Sequence, residues 1–149
     1  MAEDNKKDKE ARLTKKGRSG SRQLLLQVLY QYQLNGDGFD ELFSQSKQTK
    51  EFSRIDQVHF KYLLHEVLTN LDKLDKISSK HSDRPSKQID PIEQAIIWIG
   101  LIELLSDQDT PVNVVINEAI ELAKIYGSED SYQFVNAVLD AFLKENSSN

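Results

Sequence analysis

Apolar residues recur at three- and four-residue spacing along most of this chain, and polar breaks cut the pattern into helix-sized pieces. Leu24, Leu25, Val28, Leu29 and Tyr32 share one stripe, which predicts a first helix over residues 21–34. Asn35, Gly36, Asp37 and Gly38 end it. Residues 39–47 suit a short helix that turns Leu42 and Phe43 to a core. Phe60, Leu63, Leu64, Val67, Leu68, Leu71 and Leu74 then predict one long amphipathic helix, from residue 53 or 56 to residue 77. Lys73 and Lys76 among Asp72 and Asp75 suit its solvated side. Residues 78–89 form a polar connector with room for a helical turn, where Pro85 opposes a continuing helix and His81 suits the surface.

Asp90, Pro91 and Glu93 give a strong start signal, with Asp at the cap, Pro at the first position and Glu completing a capping box. Residues 92–105 that follow are apolar on nearly every face, as in a helix buried all round; a buried β-strand is the minority reading of the Ile-rich run. Residues 110–142 predict two closing helices. Thr110 caps the first, Pro111 opens it, and Gly127 ends it in a left-handed conformation. Ser128 starts the second, with Glu129 and Asp130 at the positive end of its dipole. Val112, Val115, Ile116, Ala119, Ile120 and Ala123 make the inner stripe of one, and Val135, Val138, Leu139 and Phe142 that of the other. Phe134 sits at the stripe's edge, one turn after Asp130. The fold class is all-α, a compact bundle of about six or seven helices.

At 149 residues the chain is sized for one domain, expected over residues 21–145. No apolar run approaches the roughly 20 residues a bilayer needs, no signal peptide is expected at the polar start, and no cysteine is present; together these fit a cytoplasmic protein. The net charge of −5 conceals an asymmetry. Residues 1–22 hold eight Lys/Arg against four Asp/Glu, net +4, and the remainder holds eleven against twenty, net −9. Arg12, Lys15, Lys16, Arg18 and Arg22 thus form a basic arm on an acidic body, suited to a polyanion or to a solubilising role. Residues 1–20, poor in apolar side chains, are expected to be flexible.

Nothing in the pattern asks for catalysis. His59, His65 and His81 do not form the i, i+4 pair that places two metal ligands on one helix face. Nucleotide-binding glycine loops and a nucleophile elbow are also missing, so no cofactor, metal or catalytic residue is expected.

The segments INEAIELAK (116–124) and YGSEDSYQFVNAVLD (126–140) closely resemble the most characteristic part of the NusB family of bacterial transcription antitermination factors. Weaker similarity runs back through IEQAIIWIGLIELL, FKYLLHEVLTNLDKLD and RQLLLQVLYQYQL. The resemblance implies a NusB-like bundle in two packed subgroups. It also implies binding of the boxA element of nascent ribosomal-RNA transcripts, as a heterodimer with the small-subunit ribosomal protein NusE, joined by other Nus factors on RNA polymerase. Lys15, Lys16, Arg18 and Arg22 then match the family's phosphate-gripping segment, Tyr30, Asp130 and Phe134 its RNA face, and Glu93 the region that receives NusE. Ser19 and Gly20 stand where basic residues are common in relatives, Trp98 where an Arg is usual, and residues 106–109 in place of a more basic loop. Monomer and homodimer both remain open for the free protein. The rival readings are a helical protein-interaction scaffold and an accessory domain of the kind fused to RNA cytosine methyltransferases. The second is the weaker expectation, since these 149 residues include no cofactor-binding α/β part.

Overall fold

The computed structural model describes residues 14–107 and 109–147; the expectations for residues 1–13, Arg12 among them, lie outside these. Among the described residues the chain forms seven α-helices: α1 (Gly17–Asn35), α2 (Phe39–Lys47), α3 (Gln57–Thr69), α4 (Leu71–Lys80), α5 (Pro91–Ser106), α6 (Val112–Tyr126) and α7 (Ser131–Ser147). Short 3₁₀ segments lie at Lys50–Arg54 and Ser86–Gln88. The only β-type pairing among the described residues is an isolated parallel bridge between Gly17 and Ile55. No described helix is long and apolar enough to cross a membrane. The chain divides into two compact units, Met1–Leu64 and His65–Asn149.

The first unit holds α1, α2 and the start of α3. Leu25, Leu29, Leu42, Phe60, Leu63 and Leu64 are almost completely buried, which bears out the stripes of these helices. Phe43 stacks on Phe39 at 5.6 Å and on Phe60 at 6.4 Å, and meets Phe52 edge-on at 6.0 Å, so α2 is fastened by aromatic contacts. Gly36 closes α1 at φ 74°, its N–H donating to Tyr32 O at 2.8 Å, a left-handed cap that favours glycine. At its other end α1 begins at Gly17, four residues earlier than the stripe predicts, because its first turn is polar and carries no hydrophobic signal.

The expected long helix over residues 53–77 is instead two, α3 and α4, broken at Asn70. Asn70 leaves helical geometry at φ −123°, ψ 22°, and its side-chain amide donates to Glu66 O at 2.7 Å, filling a carbonyl that a continuing helix would have used.

In the second unit α5 packs against α4, α6 and α7. Asp90 caps it as predicted, accepting from the N–H of Ile92 at 2.8 Å and of Glu93 at 3.4 Å, and every residue from Glu93 to Glu103 is buried. Gly100 permits the close approach to α7: a Cβ there would fall 2.9 Å from Leu139 Cδ1.

The closing helices are punctuated differently from the expectation. Thr110 does not cap α6; its hydroxyl donates to Asp107 Oδ2, and Pro111 precedes a helix beginning at Val112. Val112 itself is 50% exposed, while Leu122 joins Val115, Ala119 and Ala123 inside, so the buried stripe is rotated. Gly127 is extended, at φ −89° and ψ −177°. Its glycine is required for space: a Cβ would meet Ser131 Cβ at 2.5 Å and Ala123 O at 2.7 Å. Ser128 lies in a turn whose N–H donates to Ser131 Oγ at 2.9 Å, and α7 starts at Ser131. Val135, Val138, Leu139 and Phe142 are buried as expected.

Candidate nucleic-acid interface

In the first unit the end of the basic arm is held in place. The side chain of Gln23, fully buried, accepts from the N–H of Thr14 at 3.0 Å and of Lys15 at 3.1 Å, and donates to Thr14 Oγ1 at 3.2 Å. Residues 14–20 are therefore ordered, contrary to the expectation of a flexible segment reaching residue 20. Gly20 is part of the reason. A Cβ there would lie 2.7 Å from Lys15 O and 2.9 Å from Ile55 Cγ2, so the absence of a basic side chain at this position is a packing requirement.

The cations of this segment differ in their surroundings. Lys16 is exposed and Lys15 half-buried. Arg18 is 49% exposed and lies 3.5 Å from Asp56 Oδ2. Asp56 in turn caps α3, accepting the N–H of His59 at 3.0 Å; that hydrogen bond, with the Arg18 charge beside it, holds its carboxyl below the usual range. Ser21 Oγ donates to Asp56 O at 2.6 Å and ties α1 to the same point. Arg22 departs from the expectation: it is only 3% exposed and engaged within the protein, so its guanidinium is not offered to a phosphate on the surface.

Tyr30 is 37% exposed on α1, which settles its packing: the ring is a surface aromatic. Twelve residues of helix separate it from Arg18, about 18 Å along the axis, so no single nucleotide touches both. Elsewhere on α1, a shallow groove of about 130 Å³ runs between α1 and α2, lined by Gln27, Gln31, Gln45, Ser46 and Thr49 over Leu24, Val28 and Leu42. Its polar lining is entirely uncharged. Sequence reasoning missed this groove because amides carry no periodic signal.

In the second unit, Glu93 and Phe134 are joined by a residue that the sequence pattern did not single out. Arg84 places its guanidinium carbon 3.8 Å from the centroid of the Phe134 ring, and its Nη2 lies 3.6 Å from Glu93 Oε1. Glu93 is 6% exposed and this oxygen accepts no hydrogen bond. Its carboxylate thus faces Arg84 and does not complete the expected capping box. Asp130, exposed, accepts at its backbone oxygen from the N–H of Gln133 at 3.2 Å and Phe134 at 3.4 Å, so it sets the start of α7 one turn before the ring.

His81 is no surface histidine: its side chain is 11% exposed, meets the Phe142 ring edge-on at 6.4 Å, and lies 2.7 Å from Glu145 Oε2. Lys80 pairs with the same carboxylate, and that contact leads in holding Glu145 below the usual range. Trp98 and Gln94 of α5 donate to Asp75 Oδ1 at 2.9 and 2.8 Å, so Asp75 is a buried-helix partner and not a solvated charge.

The described residues thus form helical units in which a basic segment, an exposed Tyr30 and an arginine-covered Phe134 stand on an otherwise acidic chain. The chain belongs to the NusB family, whose model matches residues 19–144. A transcription antitermination protein NusB from Alcanivorax borkumensis is 39% identical over 132 residues, which cover 89% of this chain and 88% of that one. Among solved structures, T. maritima NusB is similar with a TM-score of 0.75 at 26% identity, covering 86% of this chain and 91% of that one. A chain from the crystal structure of antitermination factors NusB and NusE in complex with dsRNA shares the fold, with a TM-score of 0.72 at 24% identity, covering 85% and 96% of the two chains.

Proposed function

We propose that this protein is a cytoplasmic, non-catalytic transcription antitermination factor that binds the boxA element of nascent ribosomal-RNA transcripts as a heterodimer with NusE, and with other Nus factors keeps RNA polymerase processive. The observation that carries this reading is the family match over residues 19–144. The site adds physical support. Lys15, Lys16 and Arg18 stand at the ordered end of the arm and supply counterion-release attraction to phosphates. Tyr30 and the Phe134 region, with Asp130 beside it, meet unpaired bases. Arg22, buried in α1, stands apart from this surface. Glu93 marks the start of α5, where Asp90, Pro91 and Ile92 still reach the surface, as the region that receives the basic ribosomal partner, whose charge suits the acidic body.

The second reading, a scaffold that binds a protein partner without specific RNA recognition, is favoured by the burial of Arg22 and the pairing of Arg18 with Asp56, which thin the cationic surface. Fluorescence anisotropy of labelled boxA RNA, with and without NusE, at two salt concentrations and against a scrambled RNA, separates the two. Preferential boxA binding that NusE tightens and salt weakens is the expected result. A NusE complex that does not distinguish boxA from the scrambled RNA would decide for the scaffold.

A further inference from the structure

Arg84 presents an unusual set of surroundings in the second unit. It leaves the polar connector beside Pro85, and its backbone N–H is held by Ser82 Oγ at 2.9 Å. Its guanidinium lies over the Phe134 ring at 3.8 Å, close enough for face-on stacking of the two planes. Behind it stands the Glu93 carboxylate, 8% exposed, at 3.6 Å, and Asp83 lies at 3.8 Å from Nε. Both are charge contacts beyond hydrogen-bond length. A guanidinium has five N–H donors around its edge. Among the described residues none of these donors makes a hydrogen bond, although the side chain is only 36% exposed. The group is therefore fixed in orientation by a ring and a buried counter-charge while its donor edge remains unused.

We propose that Arg84 is the RNA-facing layer of this site, with Phe134 acting as the backing that holds the guanidinium flat. The inference rests on the antitermination reading above and changes its chemistry at Phe134. An unpaired base approaching the covered face of that ring meets the cationic plane and stacks on it, as bases do on arginine planes in single-stranded RNA complexes. The N–H edge then donates to a phosphate or base-edge oxygen of the same nucleotide. Glu93 keeps the plane in place from the protein side, which couples the expected partner-binding helix to the nucleotide through one side chain.

Arg84→Lys and Arg84→Ala, measured by anisotropy with boxA RNA in the absence of NusE, test this. Lysine keeps the charge and loses both plane and fork, so both variants are expected to weaken binding roughly ten-fold or more. Only alanine should lower the salt slope, by about one counterion. Because Arg84→Ala strands a buried carboxylate, the double variant Arg84→Ala/Glu93→Gln, checked for its helical circular dichroism and Tm, keeps the test valid if the single variant unfolds. Unchanged or tighter binding by the alanine variants would mean that Arg84 merely covers the ring, and overturns the proposal. Full retention by Arg84→Lys would reduce the residue to a point charge and overturn it as well. If the wild-type protein ignores boxA RNA both alone and with NusE, the functional reading fails and this inference with it, an outcome distinct from wild-type binding that the Arg84 variants share.

Discussion

Gln23 holds Thr14 and Lys15 by three hydrogen bonds from one buried amide, taking the N–H of both residues and giving to the Thr14 hydroxyl. A segment of low hydrophobicity is thereby ordered before any ligand arrives, which lowers the entropy cost of using its cations. Gln23→Ala should expose these donors without partners and cost about 1–2 kcal/mol. Amide hydrogen exchange at residues 14–16 should accelerate, and boxA RNA affinity should fall together with it. Unchanged exchange in this segment would show that something other than Gln23 orders it.

Asp56 carries a charge-dependent part of the stability of the first unit. Its lowered pKa, caused first by the His59 N–H and also by Arg18, means that its contribution is complete above the usual aspartate range and disappears as pH falls through the lowered value, below about pH 4. Asp56→Asn keeps a cap and removes the charge; Asp56→Ala removes both and should cost about 1 kcal/mol. Urea midpoints should separate wild type from Asp56→Asn at pH 7 and converge near pH 3. A separation that persists undiminished at pH 3 would rule out the charge as its source.

Two glycines should respond oppositely to asparagine. Gly36 is left-handed with open space around it, so Gly36→Asn should be tolerated within about 0.5 kcal/mol. Gly127 has ordinary backbone angles and no room, so Gly127→Asn, like Gly127→Ala, should lose about 1–3 kcal/mol through overlap with the Ala123 carbonyl and Ser131. Thermal unfolding of the three variants decides the matter; equal losses at both sites would contradict the distinction.

Asp75 should matter far more than a surface helix charge. Asp75→Ala removes the acceptor for both Trp98 Nε1 and Gln94 Nε2 and should destabilise by about 2–4 kcal/mol, whereas Asp75→Asn, which retains one oxygen, should lose less. Chemical denaturation followed by Trp98 fluorescence reports both the stability and the surroundings of the indole. Equal losses from the two substitutions would remove the hydrogen bonds as the cause.

The helices were legible because their stripes and caps are local. The Phe39–Lys47 helix has the predicted bounds, and Asp90 caps α5 as its sequence implies. The break at Asn70 escaped because Val67, Leu68, Leu71 and Leu74 continue the apolar spacing across it; spacing alone does not register which carbonyl an asparagine side chain takes. Arg22 looked like a member of the arm because its neighbours in sequence are cationic, and burial is decided by what packs above it. A usable signal did exist for Asp75: a Trp in an apolar helix requires an acceptor for its N–H. For Arg84, one arginine in an aperiodic connector gave no such signal, since the Phe134 ring that defines its role lies 50 positions later in the chain.

The buried helix α5 bears on how this family member tolerates change. A cylinder greasy on every side has no wet face to tell it which way to turn, so rotation or sliding by a few residues would bury much the same surface. Its seating must come from features that do not repeat: the Gly100 notch against Leu139, the Trp98 N–H that reaches Asp75, and the Asp90 cap that fixes the starting residue. These three act as the key of a shaft. Exchange of one aliphatic side chain for another along α5 would alter how tightly the shaft fits, and loss of a key would leave it free to settle in more than one position.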